Sequence, residues 1–316
     1  MEDASPQSTE LQRLRIVEEE HVDIEDESVL PYLYVENLGH GQNAVVDKIK
    51  HTKTDLVYAR KSIRVSASKF KSATEDFKKE IQIIHRLKQH HHMIRVVSSY
   101  NTKNKVVIVM DPAADGGDLK TFLSSFTTEK DLGTKMRMEF VLRRSYGCLA
   151  SALAFMHQHR VRHRDIKPEN ILLHRGSVLY ADFGDARDYS DRALSFTEDH
   201  PGPFTRKYCA PEVKDYDKRS WKSDIFSLGC VYLLMYTAIH WPSKSEMISC
   251  WRFYEQLDSI DEMLGTGKKE LEVLRCMRSM LKHNMDMRPS AVQIMEVLGA
   301  QPRRYFCEQC GSESGK

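Results

Sequence analysis

Three side chains suited to phosphate chemistry lie together on one short segment, HRDIKPENIL, from His163 to Leu172. Because Pro168 disfavours helix at the residue before it, we expect an ordered loop. The carboxylate of Asp165 can accept or orient a hydroxyl proton. Lys167 can neutralise phosphate charge, and the carboxamide oxygen of Asn170 is a ligand type that Mg²⁺ accepts. Together these groups suit a reaction between a hydroxyl group and a metal-bound phosphate.

A further carboxylate reaches the same loop if the chain folds back on itself. The segment NILLHRGSVLYADFG predicts two short strands with a turn at His174 to Gly176. Pairing of these strands would bring Asp182 back beside Asn170. We therefore predict that Asp182 is the second metal ligand, and that Phe183 packs inward.

A glycine pair and a lysine earlier in the chain could bind phosphates. Gly39 and Gly41 flank one residue between two strand-like runs, and glycine lets the backbone approach a phosphate closely. A GxG pair alone is more often a simple turn. Lys61 ends the next strand, and Glu80 on the following helix could hold its ammonium toward a phosphate. Either charge alone would ordinarily be a solvated surface residue, but Lys61 lies in an apolar strand.

The elements that carry these residues change in kind along the chain. Short β-rich runs from Tyr32 predict a meander of three strands, and the apolar stripe of Phe77, Ile81, Ile84 and Leu87 predicts an amphipathic helix. Two more strands end in VVIVM, and long helical patterns follow. A strand-rich half before a helix-rich half predicts an α+β fold of two lobes, with a ligand cleft between them.

The charge pattern and the order of elements set the expected domain limits. The segment from Glu18 to Glu27 is rich in acids and contains little that could pack. Residues 1–30 are therefore expected to be an acidic, flexible tail, with a docking or regulatory element as the alternative. We expect a small lobe at residues 31–112, a larger lobe at 113–300 and a C-terminal tail at 301–316.

Composition argues against several classes of protein. The 316 residues carry 47 basic and 45 acidic side chains, a balance that argues against bulk binding of nucleic acid. The uncharged run from Ile225 to Trp241 is shorter than the ~20 residues that span a bilayer, which favours a buried helix and no membrane partner. Because the seven cysteines are scattered and no signal-peptide pattern is visible, we expect a cytoplasmic or nuclear location.

Two other clusters contain metal-ligand residue types, but simpler explanations are favoured for both. The run HHHM, from His90 to Met93, fits a helix end followed by a loop. Cys307 and Cys310 form half of a Cys₄ zinc site, and a second CxxC pair is missing nearby. We expect these cysteines to lie in a free, flexible tail, with a zinc-bridged dimer as the alternative.

The order of the motifs resembles that of the eukaryotic serine/threonine protein kinase family over about residues 31 to 300. The segments that match are the glycine-rich loop, the strand lysine, the helix glutamate, HRD, DFG, CAPE at Cys209 to Glu212, SDIFSLG at Ser223 to Gly229, and MRPS at Met287 to Ser290. One such motif is weak, but their order is specific. The resemblance implies a bilobal kinase fold, ATP and Mg²⁺ as cofactors, and a protein substrate.

The resemblance assigns a role to each candidate residue. Asp165 resembles the catalytic-loop carboxylate that accepts the proton of the substrate hydroxyl. Asn170 and Asp182 resemble the magnesium ligands. Lys61 resembles the residue that contacts the ATP phosphates, and Glu80 resembles the glutamate that holds it.

An adenine pocket and a hinge between the lobes also follow from the resemblance. The hinge backbone, from Asp111 to Ala113, would hydrogen-bond adenine through the Asp111 carbonyl and the Ala113 amide. The other expected ATP contacts come from the glycine-rich loop, the pocket roof, the gatekeeper position and the pocket floor: Leu38, Gly39, Gly41, Val46, Ala59, Met110 and Leu172.

Two features resemble kinases that act on serine or threonine. Lys167 occupies a position typical of that class, and Thr205 resembles a threonine that hydrogen-bonds the catalytic aspartate and lysine. The resemblance also implies that Glu212 pairs with Arg288, and that Asp224 braces the backbone of the catalytic loop.

Several positions depart from the family pattern without removing a catalytic group. Ala44 replaces the third glycine of the loop, which implies a modest effect on ATP affinity. Pro112 removes a backbone donor within the hinge. Arg60 should point away from Lys61, because neighbouring strand residues alternate faces.

The resemblance implies control by phosphorylation of the loop between DFG and CAPE. Arg164 resembles an arginine that receives an activation-loop phosphate, and the candidate acceptors are Ser190, Ser195 and Thr197. We expect phosphorylation of Ser195 or Thr197 to activate the protein. The alternative is a loop already ordered by its own contacts.

A pseudokinase scaffold is the competing function. Pseudokinases usually lose the strand lysine or one of the two motif aspartates, whereas Lys61, Asp165 and Asp182 are all present. Glu169 and Asp118 match positions that face arginines in basic substrates, which weakly favours substrates with basic motifs. The oligomeric state stays open.

Overall fold

The computed structural model describes residues 21–40, 44–190, 207–214 and 220–313. The chain divides into two compact units, namely Met1–His85 with Ile94–Ala114, and Arg86–Met93 with Asp115–Lys316. The first is strand-rich and the second is helix-rich, so the predicted α+β class is confirmed. Sequence order alone did not predict that Arg86–Met93 belongs with the second unit.

The first unit is built on a six-stranded sheet. Its strands are β1 (His21–Asp23), β2 (Tyr32–His40), β3 (Ala44–His51), β4 (Val57–Arg64), β5 (Arg95–Asn101) and β6 (Lys105–Asp111). Across the sheet their order is β1-β5-β6-β4-β3-β2. The β1–β5 pair is parallel, and the other neighbours are antiparallel. The predicted meander corresponds to β2, β3 and β4.

Helix α1 (Phe70–Leu87) connects β4 to β5 and follows the predicted apolar stripe. Phe77, Ile84 and Leu87 are buried, and Ile81 is partly buried. These residues recur at intervals of three and four, so they lie along one side of the helix. The prediction of an amphipathic helix here is confirmed.

For residues 21–30 the structure differs from the expectation of a flexible tail, and residues 1–20 lie outside the described residues. Ile24 and Leu30 are buried against the sheet, in a cluster that includes Tyr100. Glu27 accepts a hydrogen bond from the Tyr100 hydroxyl at 3.2 Å. The acids of this segment therefore alternate with residues that pack, and β1 forms an edge strand of the sheet.

The second unit is mainly helical. Its helices are α2 (Leu119–Thr128), α3 (Leu132–Gln158), α4 (Pro211–Lys214), α5 (Trp221–His240), α6 (Pro242–Ser249), α7 (Leu257–Gly265), α8 (Leu271–Met280), α9 (Ala291–Leu298), α10 (Pro302–Tyr305) and α11 (Glu308–Glu313). Its short antiparallel pairs are β7 (Val161–Arg162) with β10 (Arg187–Asp188), and β8 (Ile171–His174) with β9 (Ser177–Tyr180). The β8–β9 hairpin is the pair of strands predicted from the sequence.

Helix α5 is the buried helix that the uncharged run predicted. Its length and composition alone would suffice to cross a membrane, but 78% of its apolar window is buried inside the protein. Every residue from Asp224 to Ala238 is buried. Packing in a protein core therefore accounts for the apolar composition of this segment.

The C-terminal segment corrects the expectation of a free, flexible tail. Helices α10 and α11 pack against α3, and Tyr305 and Phe306 are fully buried. A glycine in α3 makes room for them, because a Cβ at Gly147 would lie 2.5 Å from the carbonyl oxygen of Tyr305 and 2.6 Å from the Phe306 ring. Residues 301–313 therefore belong to the core of the second unit.

Candidate active site

The side chains of Asp165, Lys167 and Asn170 come together as predicted. The ammonium of Lys167 lies 2.5 Å from Asp165 Oδ2, and Asn170 Nδ2 donates to the same oxygen at 2.9 Å. Asn170 Nδ2 also donates to the backbone carbonyl of Asp165 at 2.9 Å. These contacts close the loop on itself and hold the Asp165 carboxylate in one orientation.

The local backbone explains why the loop takes this shape. Lys167 is extended, with φ −157° and ψ 162°, as expected for the residue before a proline. A short 3₁₀ turn, Pro168–Asn170, then brings Asn170 back toward Asp165. Arg164 has φ 69°, a left-handed conformation that is strained for a residue other than glycine.

Asp224 on α5 fixes the backbone that precedes Asp165. Its carboxylate accepts hydrogen bonds from the amides of His163 at 2.9 Å and Arg164 at 2.8 Å. His157 Nε2 lies 3.2 Å from Asp224 Oδ2. Burial alone would raise the pKa of the Asp224 carboxyl, but hydrogen bonding and charge from His157 and its neighbours hold that pKa below its usual value. The predicted bracing of the loop is present, and the strained turn at Arg164 is anchored by it.

The β8–β9 hairpin returns the chain to the catalytic loop. The amide of Ala181, just after β9, donates to the carbonyl of Asn170 at 3.0 Å. Asp182 is the next residue, and its φ of 59° marks a sharp change in chain direction. Asp182 is exposed, so its carboxylate is accessible to solvent.

The residue after Asp182 anchors this turn in the core. Phe183 is 1% exposed, and its ring centroid lies 5.0 Å from that of His163. His163 Nε2 lies 3.2 Å from the carbonyl oxygen of Ala181. The histidine of HRD therefore ties the catalytic loop to the DFG segment, a link that sequence reasoning did not predict.

The oxygen atoms of Asn170 and Asp182 suit a hard cation. Because the amide nitrogen of Asn170 donates to Asp165, its carboxamide oxygen is the atom available for coordination. A carboxylate and a carboxamide oxygen are ligands that Mg²⁺ accepts, with water and phosphate oxygens completing its octahedron. The residues present therefore fit the cation that the sequence predicted.

In the first unit, Lys61 and Glu80 form the predicted pair. Lys61 Nζ lies 2.8 Å from Glu80 Oε1, and the two side chains are only 12% and 4% exposed. Glu80 lies on α1 and Lys61 on β4, so the pair couples the helix to the sheet. Such burial fixes the position of the ammonium more firmly than a surface ion pair would.

Two of the predicted pocket-roof residues, Val46 and Ala59, share one face of the sheet with Lys61. Gly39, Val46 and Lys61 lie opposite one another across β2, β3 and β4. Opposite residues in antiparallel strands point to the same side. Ala59 lies two residues before Lys61 and opposite Met110 on β6, so both belong to that face.

The remaining predicted ATP contacts are more scattered. Leu38 lies at a register irregularity of β2 and is 41% exposed. Asp111 ends β6, and Ala113 is buried shortly after it. Leu172 lies in β8, in the second unit. Gly41 lies outside the described residues, so its predicted role stays a prediction.

Arg60 points away from Lys61, as the strand alternation predicted. Its guanidinium lies 3.1 Å from the carboxylate of Asp47, the residue opposite it on β3. This departure from the family pattern therefore places a charge on the face of the sheet away from Lys61.

The ion pair between Glu212 and Arg288 is also present. Arg288 Nη1 and Nη2 donate to the two carboxylate oxygens of Glu212 at 2.8 and 2.9 Å. Arg288 is 1% exposed. This bidentate ion pair joins the CAPE motif to the MRPS motif inside the second unit.

An open pocket lies beside Asp165. Its lining includes residues from the catalytic loop, the CAPE region and α5, among them Asp165, Ile166, Tyr208, Ala210 and Ser227. Near this region, Glu169 pairs with Lys120 at 3.0 Å, and Asp118 caps α2 through the Thr121 amide at 2.7 Å. Both acids that were predicted to contact arginines of basic substrates therefore already have partners within the chain, an ion pair for Glu169 and a hydrogen bond for Asp118.

The regulatory predictions are largely outside the described part of the chain. Ser195 and Thr197, the favoured phosphorylation sites, lie outside it, and so does Thr205. Ser190 is described, and its hydroxyl donates to Asp188 at 2.6 Å.

An ion pair between Arg86 and Asp188 was not predicted. Arg86 Nη2 lies 3.4 Å from Asp188 Oδ1. Arg86 and the hydrogen bonds of Ser190 lower the pKa of the Asp188 carboxyl to about 2. The two residues are 102 positions apart, and each looks like an ordinary surface charge in the sequence.

Comparison with known proteins agrees with this geometry. The family model of the protein kinase domain matches residues 32–298, so the chain belongs to the protein kinase family. The chain is also 31% identical over 222 residues to serine/threonine-protein kinase PKH3 of Saccharomyces cerevisiae. That match covers 63% of this chain but only 23% of PKH3. These similarities identify the chain as a protein kinase family member, the family that the motifs predicted.

Proposed function

We propose that this protein transfers the γ-phosphoryl group of ATP to serine and threonine hydroxyls of protein substrates, using Mg²⁺. The observation that carries the proposal is the closed cluster of Asp165, Lys167 and Asn170, with Asp182 delivered beside it by the β8–β9 hairpin. Such an arrangement would combine a proton acceptor, a cation and metal ligands within one part of the second unit.

Asp165 would orient the substrate hydroxyl and accept its proton. The carboxylate is held by Lys167 and Asn170, so little reorganisation is needed when the hydroxyl attacks. The Lys167 ammonium, next to this carboxylate, would balance the negative charge of the transferring phosphoryl group. Positioning and charge neutralisation are the main contributions a protein makes to this reaction.

Asn170 and Asp182 would hold the metal, and Lys61 would contact the phosphates of ATP. When bound, Mg²⁺ neutralises charge on the phosphates and orients them. Glu80 keeps the Lys61 ammonium in place within the first unit. Val46, Ala59 and Met110 are proposed to contact the adenine from the same face of the sheet.

The alternative of a pseudokinase scaffold has no structural feature in its favour among the described residues. Lys61, Asp165 and Asp182 are all present, Lys61 lies against Glu80, and Asp165 lies against Lys167. The distinction is therefore a matter for a direct assay of phosphate transfer.

The test is transfer from labelled ATP to the protein itself and to a basic protein substrate, with and without Mg²⁺. We expect Mg²⁺-dependent labelling in which acid hydrolysis releases phosphoserine or phosphothreonine. An Asp182→Asn variant should lose this labelling because it removes the charged metal ligand. The matched control is Asp185→Asn, which changes another exposed carboxylate three residues away and should keep it.

Two results would overturn the proposal. Nucleotide binding without any transfer, by a protein phosphorylated on its activation loop, would favour the scaffold. Labelling confined to tyrosine would contradict the assigned substrate class. A thermal shift with ATP, measured with and without Mg²⁺, separates loss of binding from loss of chemistry.

A further inference from the structure

Two pairs of residues from opposite ends of the second unit meet at one point. His91 and His92 follow α1, whereas Cys307 and Cys310 lie in the C-terminal segment. One ligand atom from each of the four side chains lies within 4.8 Å of the others. Neither pair belongs to the candidate active site, and the cysteines lie beyond residues 32–298, the range that the kinase family model matches.

The distances between the ligand atoms fit a tetrahedral metal. His91 Nε2 lies 3.3 Å from Cys307 Sγ and 3.4 Å from Cys310 Sγ. His92 Nε2 lies 3.5 Å from Cys307 Sγ. In a tetrahedral zinc site with Zn–S near 2.3 Å and Zn–N near 2.0 Å, nitrogen and sulfur ligands are separated by about 3.5 Å.

The tautomer of the neutral His92 ring is set by a contact on the far side of the ring. Its Nδ1 lies 2.6 Å from the carbonyl oxygen of Val178, which can only accept, so Nδ1 must carry the proton. In the neutral ring, Nε2 then presents a lone pair toward the cysteines. Metal-bound histidines in proteins commonly donate their second N–H to a backbone carbonyl in this way.

Burial and hydrogen bonds hold both pairs of ligands close together. His92 and Cys310 are fully buried, and the His91 and His92 rings lie 4.0 Å apart between centroids. Cys307 and Cys310 flank the start of α11, where the amide of Gly311 donates to the Cys307 carbonyl at 2.9 Å. The Cys307 amide in turn donates to Cys148 Sγ on α3 at 3.2 Å. Gly147, next to Cys148, is what allows the C-terminal segment to approach α3 so closely.

We propose that His91, His92, Cys307 and Cys310 bind a structural Zn²⁺ ion that fastens the C-terminal segment to the loop after α1. Two thiolates and two imidazole nitrogens in a tetrahedral arrangement select zinc over the hard cations that prefer oxygen. Four protein ligands leave no open position for substrate, so the role is structural. The ligands all come from one chain, which replaces the earlier alternative of a zinc-bridged dimer.

Zinc would close a long loop of chain. It connects positions 216 residues apart, as measured between His91 and Cys307. A metal that binds only the folded state adds its binding free energy to the stability of that state. Loss of zinc should therefore lower the melting temperature and release residues 301–313 from α3.

The test begins with the full-length protein purified without chelator or added metal. Elemental analysis should find about one zinc per chain. A Cys307→Ser/Cys310→Ser double variant and a His92→Ala variant should each contain less than about one tenth of that. Cys250→Ser, which changes an exposed cysteine elsewhere in the second unit, should keep the full amount.

A second experiment covers the case in which these variants fail to fold. Wild-type protein is stripped with a chelator and then given ZnCl₂ or MgCl₂. Zinc alone should raise the melting temperature and protect the C-terminal segment from protease. Replacement by Co²⁺ should produce the visible absorption of tetrahedral cobalt with thiolate ligands.

The proposal is overturned by either of two findings. One is wild-type protein that contains no zinc and neither binds ZnCl₂ nor changes its melting temperature when it is added. The other is a stable disulfide between Cys307 and Cys310, shown by two fewer titratable thiols than the seven that the sequence contains.

Discussion

The catalytic loop and the histidine–cysteine cluster both bring reactive side chains within a few ångströms, but the chain assembles them differently. In the loop, Asp165 and Asn170 are five positions apart and meet through a single turn of backbone. In the cluster, His91 and Cys307 are 216 positions apart and meet only because α10 and α11 pack on α3. The first arrangement is local, and the second depends on the whole second unit.

This difference decides what a sequence can reveal. A local motif fixes both the residue types and the spacing that their chemistry needs, so the loop was predicted residue by residue. Each half of the cluster, by contrast, has an ordinary explanation when taken alone. The run HHHM looks like a helix end, and a single CxxC pair looks like an incomplete site. The combination becomes visible only when the fold places the two halves together.

The ion pair of Glu212 and Arg288 is an intermediate case and gives the largest expected effect on stability. The two residues are 76 positions apart, yet the order of the kinase motifs predicted their contact. Arg288→Met leaves the Glu212 carboxylate without its buried partner, and we expect a loss of about 3–5 kcal/mol in the free energy of unfolding. The measurement is urea denaturation of the full-length protein.

The control for this change is an exposed pair in the same unit. Arg278 lies 3.0 Å from Asp261, and both side chains are close to half exposed. Arg278→Met should cost less than about 1 kcal/mol. Equal losses in the free energy of unfolding for the two arginine variants would contradict the claim that burial makes the Glu212–Arg288 pair more stabilising than an exposed pair.

A methyl group added at Gly147 tests the packing of the C-terminal segment on α3 and changes none of the proposed metal ligands. A Cβ there would lie 2.5 Å from the backbone oxygen of Tyr305, which cannot move freely. We expect Gly147→Ala to cost about 1–3 kcal/mol and to expose residues 301–313 to protease. Gly133→Ala, in the same helix, meets its nearest atom at 3.5 Å and should be neutral or slightly stabilising.

Unchanged protease resistance in Gly147→Ala would contradict the close packing of the C-terminal segment on α3. If the variant instead loses both protease resistance and bound zinc, the packing of the C-terminal segment and the metal site are coupled, as the proposed zinc site predicts.

The Arg86–Asp188 pair should give the smallest effect on stability, and the size of that effect depends on pH. The pKa of Asp188 falls from its ordinary value of 3.8 to about 2 in the folded protein, chiefly because of Arg86. A carboxylate with a depressed pKa stabilises the fold above its unfolded pKa and loses that contribution as pH falls through the folded pKa. Since Asp188 is 46% exposed, Asp188→Asn should cost less than about 1 kcal/mol at pH 7.

The measurement is the melting temperature of wild type and Asp188→Asn between pH 7 and pH 2. The gap between them should be constant down to about pH 4 and should then shrink. The control is Glu262→Gln, which neutralises an exposed acid elsewhere in the second unit. A gap that widens in acid would contradict the assigned pairing.

Much of the fold and active site could be predicted because local patterns carried the information. The stripe of α1, the β8–β9 hairpin, the Lys61–Glu80 pair and the Asp224 brace are all present. Prediction from the sequence was wrong where isolated apolar residues interrupt polar stretches. Ile24 and Leu30 among acids hid strand β1, and Tyr305 and Phe306 after the last long helix hid a packed segment. Their burial depends on partners that are distant in sequence, and no local period marks them.

The most direct test of the role assigned to Asp165 is the rate of phosphate transfer from ATP–Mg²⁺ by wild type and by Asp165→Asn, with Asp258→Asn as an exposed control. Removal of the proton-accepting carboxylate should lower the rate by about 10²–10⁴-fold while nucleotide binding and the melting temperature change little. The Asp258 variant should transfer phosphate as wild type does. Equal rates for wild type and Asp165→Asn would contradict the assignment of the catalytic loop.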